Sequence, residues 1–276
     1  MSRFICGRFA LDLSAPRIMA IINLTDDSFS GDGLRGDVTA ALRRAETALE
    51  DGADLLDIGA ESTRPGCAPV TEAQEIERIV AAVEALSGLG APLSIDTMKP
   101  AVMRAALLAG ADMVNDINGF SAPGAVDAVA GSRCGLCVMH MQGEPRTMQH
   151  RPNYDDVVTE VADCLSGQVK ALMAAGVARE RIVLDPGFGF GKNVDHNYSM
   201  LKHLARFAVD GLPVLAGLSR KSMLGIITGK TVGERLIASV TGAALAVEHG
   251  ARIVRVHDVA ATREALQIWR ACAEAA

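Results

Sequence analysis

The sequence predicts an α/β fold of the (β/α)8 type, a TIM barrel with an N-terminal β-hairpin, on three observations. Short apolar runs that end in a polar residue alternate with longer amphipathic stretches, the pattern of βα units on a parallel sheet. There are eight such runs, spread over about 260 residues, which matches this barrel in count and length. Three of the amphipathic stretches end on a glycine that leads at once into the next run, in EDGADLLDIG, LAGADMVND and EHGARIVRV, so one unit repeats with the same helix cap.

Taken in order, MSRFICGRFALDL alternates about Gly7 and reads as a hairpin closing the barrel bottom. Strands are expected at RIMAIIN (17–23), DLLDIGA (54–60), PLSID (92–96), DMVND (112–116), LCVMHM (136–141), RIVLD (181–185), PVLAGLS (213–219) and RIVRVHD (252–258). Helical patterns lie between them, among them 37–52, 71–86, 99–110 and 234–250. A doubly wound sheet is the alternative, but no GxGxxG follows the first strand. No linker divides the chain, so residues 1–276 read as a single domain.

The longest apolar runs are far shorter than the roughly 20 residues of a membrane span. The N-terminus is too short in apolar residues for a signal sequence, and a cytoplasmic protein is expected. A net charge of −6, with no basic run interleaved with aromatics, argues against a nucleic-acid surface. An anionic ligand would then need a local positive pocket. The six cysteines are scattered, and the Cys134–Cys137 pair runs into a strand without a second pair, so these read as buried small hydrophobes rather than a zinc or redox site.

A barrel of this kind carries its chemistry at the C-terminal ends of the strands. The polar residues there are Asn23, Asp57, Glu61, Asp96, Asn115, Asp116, His140, Asp185, Ser219 to Lys221, Arg255 and His257. The segments 23–37 and 61–72 are long for plain connections and read as lid or substrate loops. The stretch LDPGFGFGK (184–192) raises the question of a phosphate loop, but it lacks GxxxxGK[ST] spacing, since Lys192 directly follows Gly191 and precedes Asn193. His140, Asp57 and Glu61 read as structural groups: a satisfied histidine in an apolar run, and partners for neighbouring basic side chains.

With these residues in hand, the chain resembles the dihydropteroate synthase family from end to end. The motifs are NLTDDSF (23–29), GAESTRPG (59–66), SIDT (94–97), NDI (115–117), MHMQGEPRTMQ (139–149), LDPGFGFGK (184–192), GLSRKSMLG (217–225) and RVHDV (255–259), in the family's order and spacing. The sequence departs from the family pattern in the first loop. Asp26 stands at a proline position, and Gly31-Asp32-Gly33 replaces Asp-Gly-Gly.

The resemblance implies an enzyme of folate biosynthesis that joins 4-aminobenzoate to 6-hydroxymethyl-7,8-dihydropterin diphosphate, releasing diphosphate and 7,8-dihydropteroate. It implies Asp185, Asn115 and Asp96 on the pterin ring, whose adjacent ring donors suit carboxylate acceptors. Lys221, rather than Lys192, is the lysine of the site. Arg255 and His257, with Asn23 and Thr63, make an anion pocket for the diphosphate. Mg2+ is the expected cofactor, with Asn23 as its protein ligand. Ser222 anchors the aminobenzoate carboxylate, while Phe29, Thr63, Arg64, Pro65, Phe190 and Lys221 enclose its ring. Asp96, Lys221, Arg255 and His257 are the expected catalytic residues. Sulfonamides are expected as competitive inhibitors, and a homodimer as the assembly. Two other readings remain, a barrel of the methyltetrahydrofolate and corrinoid methyltransferase kind and a non-catalytic pterin-binding barrel; the STRPG and SRKS loops weigh against the first, Lys221, Arg255 and His257 against the second.

Overall fold

A computed structural model describes residues 3–25, 37–61, 70–145 and 147–275. The expectations for Phe29, Thr63, Arg64, Pro65 and the altered positions Asp26, Gly31, Asp32 and Gly33 lie outside these residues.

The alternation about Gly7 forms the expected hairpin, β1 (Arg3–Cys6) antiparallel to β2 (Phe9–Asp12). The eight apolar runs form β3 (Arg17–Asn23), β4 (Leu55–Gly59), β5 (Leu93–Asp96), β6 (Met113–Asp116), β7 (Gly135–Met139), β8 (Ile182–Asp185), β9 (Val214–Ala216) and β10 (Ala251–Val256). They pair in sequence order and in parallel, and β10 closes on β3. The helices α1 (Val38–Glu50), α2 (Glu72–Leu86), α3 (Pro100–Ala109), α4 (Ala125–Ala130), α5 (Val157–Ala174), α6 (Val194–Lys202), α7 (Ser222–Thr228), α8 (Leu236–Glu248) and α9 (Val259–Ala273) complete the βα units. No helix among the described residues is long and apolar enough to cross a membrane.

Local chemistry sets these boundaries. Asp37 accepts from the Ala40 N–H to start α1, and Thr71 with Gln74 closes a reciprocal cap on α2. Gly110 ends α3 in a left-handed conformation, φ 110°. The last two strands are shorter than the sequence suggests, because the chain leaves the sheet at Gly217 and at His257 to build the rim.

Two apolar regions follow from the period-two alternation of barrel strands. The outward residues pack under the helices as the main core. Inward residues Met19, Leu55, Met113, Cys137, Val183, Leu215 and Ile253 fill the lower half of the barrel, where Phe4, Cys6 and Leu13 plug it from below. Each such fully buried side chain contributes roughly 1.5–3 kcal/mol. Gly135 lets the plug seat, since a Cβ there would lie 2.7 Å from Cζ of Phe4. Cys134 and Cys137 fall in different apolar clusters, Cys134 in the outer core and Cys137 inside the barrel, which agrees with the packing role read from sequence, as does buried Cys6; Cys164 and Cys272 are exposed on helices, which corrects that reading for those two. With the lower half filled, only the upper half of the interior is open to ligands.

Asp112 fastens the hairpin. Its carboxylate, buried at 1% exposure, accepts from the Arg8 backbone N–H at 3.2 Å, from Arg8 Nε at 2.9 Å and from the Leu93 N–H at 3.2 Å. Asp112→Ala leaves buried donors without an acceptor and is expected to destabilise the fold by about 2–4 kcal/mol. Chemical denaturation measures it, and an unchanged midpoint would show that the plug holds without this carboxylate.

Candidate active site

The upper half of the barrel holds a cavity of about 380 Å3. Every described residue expected at the site lines it: Asn23, Asp96, Asn115, Asp185, Phe190, Lys221, Ser222, Arg255 and His257. Strand register explains the convergence. Asp96 on β5 sits beside Asn115 on β6, and Asp185 on β8 beside Met139 on β7. Arg255 and Ile253 share the inward face of β10, one layer apart.

Arg255 is the centre of the charge arrangement. Its Nε donates to Asp57 at 2.5 Å and its terminal Nη2 to Asp96 at 2.8 Å. Asp57, wholly buried, also accepts from the Asn115 amide at 3.3 Å. Because the amide nitrogen is turned to Asp57, Asn115 presents its oxygen elsewhere, and that oxygen is buried with no partner among the described residues. The same is true of the second Asp57 oxygen. The reading of Asp57 as a partner for a basic group was correct, but the group is the site arginine itself, so Asp57 belongs to the site's support. The signal was available, since Asp57 stands at an inward strand position opposite Ile21. Two of the Arg255 guanidinium nitrogens are thus engaged by carboxylates. His257 lies just past the end of β10, where Ser219 Oγ contacts its Nδ1 at 2.9 Å.

Burial shifts the titrations. It raises Asp96 to about 7 despite the opposing Arg255, and it raises Asp185 despite Lys221 and the Gly187 N–H bonded to it at 2.8 Å. Burial also lowers Lys221 to about 8, against the pull of Asp185. For Arg255 burial opposes the charge, but Asp57 and Asp96 outweigh it and hold the guanidinium above its ordinary range.

The glycine-rich stretch is a wall, not a phosphate cradle. Lys221 donates to the Phe188 carbonyl, and its ammonium lies 4.7 Å from the centre of the Phe190 ring. Lys192 is buried beneath the loop at 2% exposure, bonded to loop carbonyls and to His140. Burial, then the neighbouring Lys192, pushes His140 down to about 3, so its ring is neutral and serves as the satisfied structural group expected. Glu61 lines the rim while its carboxylate pairs with Lys99 at 2.9 Å. Asp116 turns away, accepting from the Asn118 and Phe120 N–H groups at 2.8 and 2.7 Å. Sequence reasoning assigned no role to Ile21, Ile117, Met139, Met148 and Gln149, which also line the cavity. Met148 and Gln149 reach it from the segment after β7, and only the MHMQGEPRTMQ motif signalled them.

A model of the pterin binding enzyme family matches residues 19–257. The dihydropteroate synthase of Haemophilus influenzae is 47% identical over 266 residues, covering 96% of this chain and 97% of that protein. The crystal structure of Burkholderia cenocepacia dihydropteroate synthase complexed with 7,8-dihydropteroate is similar at TM-score 0.91 and 55% identity, over 99% of this chain and 96% of that one. The Yersinia pestis dihydropteroate synthase with a sulfonamide drug complex gives TM-score 0.95 and 44% identity, over 99% and 100%.

The two acids that hold Arg255 should respond oppositely to neutralisation. Asp96 has a raised pKa, so the folded state binds more protons than the unfolded one between an ordinary carboxylate pKa and about 7, and stability falls as pH rises through that window. At pH values above it, Asp96→Asn is expected to stabilise the ligand-free protein by about 1–2 kcal/mol. Asp57→Asn, which removes the fully buried counter-ion, is expected to destabilise it by about 2–4 kcal/mol. Thermal unfolding of the pair at pH about 8 checks this, and a lower melting temperature for Asp96→Asn would contradict it.

Proposed function

Because this chain belongs to the dihydropteroate synthase family of pterin-binding enzymes, we propose that its cavity joins 4-aminobenzoate to 6-hydroxymethyl-7,8-dihydropterin diphosphate in folate biosynthesis, giving 7,8-dihydropteroate and diphosphate. The observation that carries the reading is the convergence of Asp96, Asn115 and Asp185 with Lys221, Arg255 and His257 on one cavity. Acceptors there face a ring rich in adjacent N–H donors, and the unpartnered oxygen of Asn115 gains a partner when that ring enters. A heterocycle lacking those donors leaves buried acceptors unpaired, which gives selectivity.

In the reaction the bond from the pterin methylene carbon to the diphosphate oxygen breaks, and its electron pair leaves with diphosphate. Arg255 and His257 stabilise the departing charge. Asp96, once ionised, stabilises the positive charge left on the pterin. The amine nitrogen of 4-aminobenzoate then bonds to the methylene carbon and gives up a proton; an arylamine is neutral at working pH and needs no strong base. Ser222, which opens α7 at the cavity wall, holds the aminobenzoate carboxylate. Phe190 and Lys221 flank its ring, as do Phe29, Thr63, Arg64 and Pro65 in this reading.

The cavity suits Mg2+ bound mainly through substrate and water. In this reading Asn23, which ends β3 and lines the cavity, is the protein ligand. When bound, the ion would lower the charge on the diphosphate and aid its departure. The same reading makes residues 1–276 one domain and the cytoplasm the location. It pairs the chain with a second copy through α7 and α8, where Ile226, Ile227 and Ile237 are exposed.

Incubation with the pterin diphosphate, 4-aminobenzoate and Mg2+ should release diphosphate only when the amine is present, and sulfonamides should compete with the amine; no release at any Mg2+ concentration would reject the reading. The pH profile offers a second check. Asp96 must lose its proton, at about 7, and Lys221 must keep its own, lost at about 8, so kcat/KM should rise and then fall with a narrow optimum between. A flat profile from about pH 6 to about pH 9 would contradict those roles.

A further inference from the structure

We infer that Lys192 is a positioning residue for the aminobenzoate side of the cavity, an assignment that rests on the reaction above: its side-chain nitrogen ties the loop after β8 to the end of β7, holding Phe190 and the Phe188 carbonyl where Lys221 meets them. The contacts are specific. Nζ donates to the Gly187 carbonyl at 2.9 Å and the Phe190 carbonyl at 2.9 Å, and lies 3.0 Å from Nδ1 of His140. It also lies 3.4 Å from the His140 carbonyl, so partners surround it, while burial lowers its pKa to about 7. No carboxylate is among its hydrogen-bond partners, so the lysine is held by the shape of the loop rather than by an ion pair.

The loop is pressed against its neighbour by design of the sequence. Gly187 has φ +70° and Gly191 φ +64°, and a Cβ on either would collide with the carbonyls of His140 and Gln142. Other bonds fix the remaining turns: Asn197 accepts from the Gly189 N–H at 2.7 Å, and the Tyr154 hydroxyl donates to the Gly191 carbonyl at 3.0 Å. The Phe190 N–H closes the tight turn on the Gly187 carbonyl at 3.2 Å, and Lys192 gathers the carbonyls of both ends and ties them to His140 beyond the end of β7. Phe190 leaves that turn to face the cavity, and Lys221 takes its carbonyl partner, Phe188, from the middle of it. Asp96 and Asn115 stand on other strands and do not depend on this turn, and Asp185, which accepts from the Gly187 N–H at 2.8 Å, is placed by the end of β8 before the turn begins.

The test uses Lys192→Met, which keeps the length of the side chain and removes its donors, and Lys192→Gln, whose amide keeps two. Wild-type enzyme must first show amine-dependent diphosphate release; its absence would reject the reaction and not the positioning role. With the reaction in place, Lys192→Met should raise KM for 4-aminobenzoate about tenfold while the Kd of the pterin diphosphate, by calorimetry, stays within about twofold. Lys192→Gln should fall between Met and wild type. Unchanged KM in the folded Met variant would overturn the inference, as would an equal loss of amine and pterin affinity. If neither variant folds, the lysine is a general folding requirement, which overturns it as well.

Discussion

The ion cluster of Arg255 with Asp57 and Asp96 is the interaction on which the rest of the site depends. A guanidinium inside a barrel needs a buried counter-ion of good geometry, which Asp57 supplies, and Asp96 shares the fork as a second acceptor; both bonds are short. Three consequences follow from that one arrangement. Asp57 holds the Asn115 amide by its nitrogen, Asp96 is kept close to its titration point, and Arg255 is held where it lines the cavity. The apolar plug below makes this possible, because it removes water from the lower half and leaves the charged layer with partners on one side only.

The opposite wall works by backbone shape. Glycines at left-handed positions let the loop after β8 lie flat on the end of β7, and Lys192 beneath it gathers the carbonyls that such a turn directs inward. Lys221 meets the same loop from β9's side and is the lysine that lines the cavity. Two lysines, one buried as a clamp and one lining the cavity, explain why a glycine-rich stretch ending in lysine is not a phosphate loop in this chain.

Much of this was legible in the residues. The eight strands, their helices and the hairpin follow from apolar periodicity and recurrent glycine caps, and every described site residue that strand-end logic and motif resemblance selected lies on the cavity. Strand length at β9 was less legible, because an apolar run does not record where a chain leaves a sheet. Asp57 was read as a structural partner because pairing with Arg255 is a contact 198 residues apart in sequence, which periodicity cannot reveal. Met148 and Gln149 were passed over for a related reason: loop residues carry no alternation to say which way they face. His140 was read correctly, since an apolar run at a strand end leaves a histidine no solvent to ionise in.

The central claim is that buried acceptors on the cavity floor, Asp185 foremost, bind the donor edge of a pterin ring. Calorimetric titration of a 7,8-dihydropterin that carries no diphosphate isolates that contact from the anion pocket and the metal. The account predicts measurable binding by the wild-type protein and at least a hundredfold loss, about 2.7 kcal/mol, in Asp185→Ala. Equal affinity of the two proteins would contradict it.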